Sequence, residues 1–315
     1  MFGYVVRRLL AAIPIALGVS MVCFALVYLA PGDPVQTLLP PDADAETVDR
    51  LKRMYGLDRP LPIQYLEWLW RVMNGDFGKS IASGRPVSDK ILRSLGNTVL
   101  LATLSVLIAF SVAFVLGTIA GRRTGTWLDR IVTGIAVLGV SIPNYWLGIV
   151  LVIIFSVEFM VLPASGMAGD TFDPTSWEHL QHVILPVFTL SMIPVGIIAR
   201  TTRSAVSEVM NQEFVVTLRA NGLPEWRVLK HALKNALPPV LAVMGLQFGT
   251  LMGGSILVET VFSWPGSGFL LSKAILNRDV PVLQGTILVL ALVFVTVNLT
   301  VDLFQSSLDP RIRRG

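Results

Sequence analysis

The sequence predicts an all-α integral membrane protein: six transmembrane helices, with a large extracytoplasmic loop between the first and the second. Three observations carry that reading. The 315 residues are 53% hydrophobic and only 15% charged, where a soluble domain carries about a quarter charged residues. The charges are clumped, leaving several stretches of about twenty residues free of them, the length a helix needs to cross a bilayer. Lys and Arg also sort unevenly among the segments that join those stretches. The net charge of +4 therefore reports orientation in a membrane rather than affinity for nucleic acid. The single cysteine, Cys23, lies inside the first apolar run, which excludes a disulfide framework or a cysteine metal site.

The spans fall at about 9–30, 99–120, 131–157, 183–199, 237–258 and 283–305. Charged residues bound each one, because an Asp, Lys or Arg at a helix centre costs about 2.5–3.5 kcal/mol on insertion. The first follows Arg7-Arg8, as the core of a signal peptide would. Its apolar run is too long for that, and Pro31 follows Ala30 without a clean cleavage site, so it reads as a retained span. Orientation follows from the flanks. Fourteen of the 25 Lys and Arg fall on one side, among them Arg7, Arg122, Arg314 and the six of the 200–236 segment. The two short loops opposite, near 158–182 and 259–282, hold Lys273 and Arg278. Both termini and the 200–236 loop are therefore expected in the cytoplasm. The chain divides into the N-terminus and first span (1–30), an extracytoplasmic loop (31–97) and a five-helix core (98–315).

The 31–97 loop opens with Pro31-Gly32-Asp33-Pro34 and Pro40-Pro41, then an acidic helix start at Asp44, Glu46 and Asp49. A second helix is expected after Pro60 or Pro62, with Tyr65, Leu66, Trp68 and Leu69 on an amphipathic face. Such a face suits the membrane surface, an external partner, or a cap over the spans' outer ends.

Two patterns imitate chemical sites. Gly75-Asp76-Phe77-Gly78-Lys79-Ser80 looks like a phosphate loop, but Met73 stands where the motif needs its first glycine, and the segment is on the outer side. His179 and His182 have the i, i+3 spacing of helical metal ligands, with only Glu178 nearby as a third. Interfacial hydrogen bonding is the simpler reading for both histidines. No nucleophile–base set emerges, so no catalytic, cofactor or metal residues are expected in this chain.

Polar residues inside spans face a bundle interior or a pathway. Asn144, Gln247, Thr250, Glu259, Trp264 and Asn298 are the pathway or gate candidates, with interhelical hydrogen bonding as the alternative role. Asp302 lies at an interface. Glu259 opens the segment ETVFSWPGSG, whose Pro265-Gly266 and Gly268 demand irregular backbone, tolerated at membrane depth only when buried in protein or lining a cavity. Gly245, Gly249 and Gly253 repeat every four residues and form a smooth ridge for close helix packing, within the chain or against a second subunit.

From Glu213 to Pro239 the sequence reads EFVVTLRANGLPEWRVLKHALKNALPP, a polar, basic stretch between two spans. Helix, turn and helix are expected, with Gly222 at a left-handed cap and Pro224 in the first turn of the second helix. Nothing in it performs chemistry, and its layout suits docking. Trp226, Leu229 and Leu233 share one face and Arg227, Lys230 and Lys234 another, which also suits anionic lipid heads.

Taken together, YVVRRLL, LAPGDP, YGLDRPLPIQYLEWL, GDFGKSI, NTVLLA, SIPNYWLG, LPASG, HVILPVFTL, RANGLPEWRVLKHALKNALPPV, LVETVFSWPGSG and LDPRIR resemble the membrane permeases of binding-protein-dependent ATP-binding-cassette (ABC) importers, in the dipeptide/oligopeptide branch. The family's cytoplasmic signature is Glu-Ala-Ala, three residues, Gly, then Leu-Pro. Here Val216-Thr217-Leu218 stands for the first three, followed by Arg219-Ala220-Asn221-Gly222 and a later Leu237-Pro238. The resemblance implies a type I importer permease fold in a bacterial inner membrane. It implies a second homologous permease as heterodimer partner, two cytoplasmic ATPase subunits that hold ATP and Mg, and an extracytoplasmic solute-binding protein. Leu218, Arg219, Ala220, Asn221, Gly222, Leu223 and Pro224 would form the ATPase-coupling element. The cargo implied is a di- or oligopeptide, or else a nickel chelate, glutathione, an opine or an oligosaccharide. An ion-coupled secondary transporter fits less well, because the centres of the spans are almost free of ionisable residues.

Overall fold

Helices follow the apolar runs. The computed structural model describes residues 2–29, 46, 58–169 and 172–308. Its helices are α1 (Phe2–Leu29), α2 (Leu61–Met73), α3 (Val87–Arg122), α4 (Trp127–Ser141), α5 (Asn144–Val152), α6 (Trp177–Met210), α7 (Glu213–Ala220), α8 (Glu225–Gly254), α9 (Ile256–Val261), α10 (Ser267–Leu276) and α11 (Val280–Leu308). The acidic helix expected near residue 44 and the terminal Arg311, Arg313 and Arg314 lie outside the described residues.

Four described helical stretches are long and apolar enough to cross a membrane: α3, α6, α8 and Val280–Val301 of α11. A fifth is present if α4 and α5 count as one broken span, and α1 contributes the apolar stretch Ile13–Ala25. The 131–157 run is not the single rod expected. Its two helices meet at 93°. Pro143 has no N–H to give, and its ring drives Ile142 out of helical geometry to φ −85°, ψ 124°. The run then ends in a π-helical turn at Ile153–Glu158.

One helix is central. Of the apolar stretch of α6, 67% is buried, against 33% in α3 and 28% in α8. Its most extensive contact is with α3, followed by α8 and α4. Small residues permit that approach. A Cβ on Gly117 would lie 2.6 Å from the Ala199 carbonyl, and one on Gly121 would lie 2.7 Å from that of Arg203. Gly139 of α4 meets the Met192 carbonyl at 2.9 Å, while Gly196 of α6 lies directly against the Ala136 carbonyl. These contacts are backbone to backbone, the close packing that drives helix association where lipid removes the hydrophobic term.

An ion pair fastens one end of this core. Asp129, 4% exposed at the start of α4, accepts Nη2–H of Arg203 at 2.7 Å and also its Nε–H. It takes the Gly125 N–H at 2.8 Å as well, so one carboxylate ties the α3–α4 turn to α6. At the other end, α2 begins after Pro60 and lies on α1. Tyr65 and Trp68 pack on Phe24 with ring centroids 5.5 and 5.8 Å away, and the Tyr65 hydroxyl sits 2.7 Å from Ser20 Oγ. The expected amphipathic face is thus divided: Leu66 points outward, as does Trp70 beyond it.

Candidate functional site

Where α6 ends at Met210, the chain turns into an eight-residue helix, α7. A helix this short is marginal by itself. Tertiary contact holds it: Val215 is fully buried, and Phe214 joins Val206, Val209, Ala232 and Ala236 in a cluster between the end of α6 and the start of α8.

The turn after α7 closes by a Schellman motif. Gly222 has φ +75°, a conformation in which a side chain would be strained. Gly222 N–H donates to the Arg219 carbonyl at 2.9 Å and Leu223 N–H to the Leu218 carbonyl at 3.2 Å, the paired bonds of that motif. Pro224 follows in extended geometry as the N-cap of α8, one position ahead of the first turn where the sequence placed it. Across the turn, Arg219 donates through Nε to Glu225 at 2.9 Å and through Nη2 at 3.4 Å.

The turn's backbone is satisfied, but its side chains are not covered. Leu218 and Leu223 are half-buried, whereas Arg219, Ala220, Asn221, Gly222 and Pro224 are exposed. Val216 and Trp226, at 62% and 61% exposure, add apolar surface to the same projection.

A second constellation lies in the loop between α9 and α10, and it is closed. Glu259 and Trp264 are both fully buried. Glu259 Oε1 accepts the hydroxyls of Thr98 at 2.8 Å and Ser255 at 2.7 Å; Oε2 accepts the N–H groups of Gly268 at 2.7 Å and Phe269 at 3.1 Å. The carboxylate thus caps the N-terminus of α10, where unpaired N–H groups and the helix dipole favour an anion. Thr98 also accepts Ser267 N–H at 2.7 Å, Trp264 Nε1–H donates to the Asn97 carbonyl at 3.1 Å, and Asn97 donates to the Pro265 carbonyl at 3.0 Å. A Cβ on Gly266 would stand 2.6 Å from Thr98 Oγ1 and against the carboxylate itself. The irregular backbone foreseen here is buried in protein.

The other polar candidates are separate. Asn144 opens α5 at the bend, half-buried, with Oδ1 lacking a partner. Gln247 is half-buried on α8, and Thr250 is exposed and bonds back to the Leu246 carbonyl at 3.0 Å. Asn298 of α11 faces Gly249, where a Cβ would lie 3.3 Å from its Oδ1. Of the glycine ridge, Gly245 packs on Val301 and Gly249 on Val297 and Asn298, while Gly253 faces open space.

The two look-alike motifs have local uses. Around the false phosphate loop, Ser80 Oγ at 2.5 Å, Ile81 N–H at 3.1 Å and Ala82 N–H at 3.4 Å all donate to buried Asp279. The anion in this cradle is the chain's own carboxylate, fixing the segment before α3 to the α10–α11 junction. His179 Nδ1 accepts Asp173 N–H at 2.6 Å with its ring stacked on Phe172, and His182 Nδ1–H donates to the Glu178 carbonyl at 2.8 Å. Bonds from the Thr175 hydroxyl and N–H hold the nearby Asp173 carboxyl below the usual carboxylate range. Among the described residues, no three His, Cys, Asp or Glu are grouped to hold a metal ion.

Sequence reasoning missed Thr98, Ser255, Asp279, the Asp129–Arg203 pair and the glycines of the α3–α6 seam. Only the last left a usable signal: Gly117 and Gly121 share the four-residue spacing noticed at Gly245 and Gly249.

Comparison with known proteins agrees along the whole chain. Residues 113–314 match the family described as binding-protein-dependent transport system inner membrane component, and residues 1–102 match its N-terminal companion. A protein provisionally named as a peptide transport system permease from Brucella abortus (strain 2308) is 40% identical over 314 residues, 99% of either chain. The glutathione transport system permease protein GsiC of Salmonella typhimurium (strain LT2) is 41% identical over the same share. A solved structure described as inward-facing conformations of the MetNI methionine ABC transporter has the same fold, with TM-score 0.58 at 18% identity over 70% of this chain and 96% of the other. Apolar helices, polar turn and full-length similarity together identify the chain as a member of the binding-protein-dependent transport system inner membrane component family, a permease subunit of an ABC importer.

Proposed function

We propose that this permease forms the pathway by which peptides cross the cytoplasmic membrane, and that residues 218–224 are where separate ATPase subunits drive it. The observation that carries the coupling role is the α7–α8 turn. It is closed in its backbone, uncovered on its outer face and packed through Phe214 against a cluster shared by α6 and α8. A push on the turn moves those two long helices together, and α6 is the central helix of the bundle. That is the rigid-body arrangement an alternating-access step requires. The chain itself is non-catalytic; ATP and Mg belong to the two ATPases.

Peptide cargo is supported by the names of full-length relatives, with glutathione as a specific second reading. The distribution of positive residues supports a reading with both termini and the α7–α8 turn in the cytoplasm and the 31–97 loop outside to meet a solute-binding protein. A second, homologous permease completes the pathway as a heterodimer. Asn144, Gln247, Thr250 and Asn298 are the pathway candidates; Glu259 and Trp264 fix the outer gate without touching cargo.

The test is reconstitution of the complete importer in liposomes with Gly222→Val in this chain. Assembly and ATP hydrolysis persist while uptake of a labelled dipeptide falls; normal uptake refutes the coupling assignment. Competition by glutathione against the dipeptide decides between the two cargo readings. Purification of the tagged chain from native membranes is expected to bring a second permease and the ATPases, and recovery of the chain alone points to a self-sufficient carrier.

A further inference from the structure

Beside the coupling turn, the last turns of α3 and the first turns of α8 diverge and leave a groove of two adjoining hollows, about 460 and 550 Å³, that share Phe114 and Leu233. The floor is apolar: Phe114, Ile119, Leu229 and Leu233. The rim is cationic, with Arg122 and Arg123 on one wall and Lys230 and Lys234 on the other. All four cations are exposed, and none joins the ion pairs Arg59–Glu67, Arg203–Asp129 or Arg219–Glu225, although Glu225, held below the usual carboxylate range chiefly by its bond from Arg219, also feels the charge of Arg122. Thr118, also in the lining, has a hydroxyl without a hydrogen-bond partner.

The floor does not stop at the rim. Ile119, Val115, Val112 and Ile108 form one stripe along α3, each between 41% and 57% exposed. Their spacing of four, three and four residues keeps them on one helical face. The stripe therefore runs from the basic groove up the apolar length of a spanning helix.

We propose that this groove binds one anionic phospholipid, its phosphate held among Arg122, Arg123, Lys230 and Lys234 and an acyl chain laid over Phe114 and along the α3 stripe. Charge complementarity selects an anionic head, and basic pockets between transmembrane helices are where such heads bind. Continuity of the floor with the stripe selects a lipid, because a soluble partner reaching the rim cannot follow it into hydrocarbon. Bound there, the lipid wedges α3 against α8 next to the turn whose movement the helices transmit.

The experiment is native mass spectrometry of the purified importer after exchange into micelles carrying phosphatidylglycerol or phosphatidylcholine. Wild type retains phosphatidylglycerol selectively. The double variant Lys230→Gln/Lys234→Gln retains it about thirtyfold more weakly, at about tenfold per 1.4 kcal/mol and roughly 1 kcal/mol per removed cation. Arg130→Gln, an exposed cation outside the groove, leaves retention unchanged. Equal retention of both lipids, or an equal loss with Arg130→Gln, overturns the site. Loss of the ATPases from the double variant with lipid retention intact overturns it too, and makes the groove a protein interface. Quenching of Trp226 fluorescence by brominated phosphatidylglycerol, taken as the difference from Trp226→Phe, gives a readout independent of complex recovery.

Discussion

The loop between α9 and α10 and the turn between α7 and α8 are both short polar breaks in an apolar chain, and both depend on glycine. In the first, four donors converge on the buried Glu259 carboxylate, Trp264 is sealed in the core, and Gly266 and Gly268 are there because no Cβ fits. In the second, Gly222 meets nothing within 4 Å where its Cβ would be; it is needed only for its positive φ. The first loop spends its polar groups inside the chain. The second satisfies its backbone and leaves its side chains to something outside. A polar break that is saturated internally holds a structure, and one that is closed in its backbone but open in its side chains has surface left for a contact.

Substitutions can break or sharpen that contrast. The largest loss of stability is expected from Glu259→Ala, which orphans two hydroxyls and two N–H groups in the core and costs about 3 kcal/mol or more. Thermal unfolding of the purified chain in detergent reads it, and Glu259→Gln, which keeps one acceptor oxygen, should lose less. A melting curve unmoved by Glu259→Ala would remove the structural role. Next comes the seam. Gly196→Ala drives a Cβ into the Ala136 carbonyl and costs about 1–3 kcal/mol, whereas Gly253→Ala, facing open space, should be neutral or slightly stabilising. If the two behave alike, the packing described for α4 and α6 is wrong. Smaller still, Gly222→Val strains the turn by about 1–2 kcal/mol and should alter melting little while uptake collapses. The smallest effect belongs to Arg219→Ala: an exposed ion pair contributes little, so melting should not change, and any deficit should appear in transport alone.

Much of the fold was legible because it is local. The apolar runs marked α3, α6, α8 and α11, and Pro60, Asn221-Gly222 and Pro224 marked helix ends through their own dihedral preferences. The bend at Ile142-Pro143 was legible in principle, since proline restricts the residue before it, but a continuous apolar run concealed it. The α7–α8 turn could be picked out as a candidate because its layout lies within a dozen consecutive residues. The role of Glu259 could not. Its position in an irregular loop was visible, yet whether its carboxylate stays open to a pathway or is saturated in the core depends also on Thr98, 161 residues away.

The sequence by itself determined the class, the helix-forming stretches, their expected orientation and the existence of an uncovered polar turn, because run length, charge placement and glycine or proline geometry act over a few residues. Tertiary structure decided which polar groups are used up. Ser80 and Asp279 are 199 residues apart, and Arg203 reaches Asp129 across 74. Pairings of that kind exist only once helices have docked, and docking is set by where small residues let backbones approach, a property of two surfaces together.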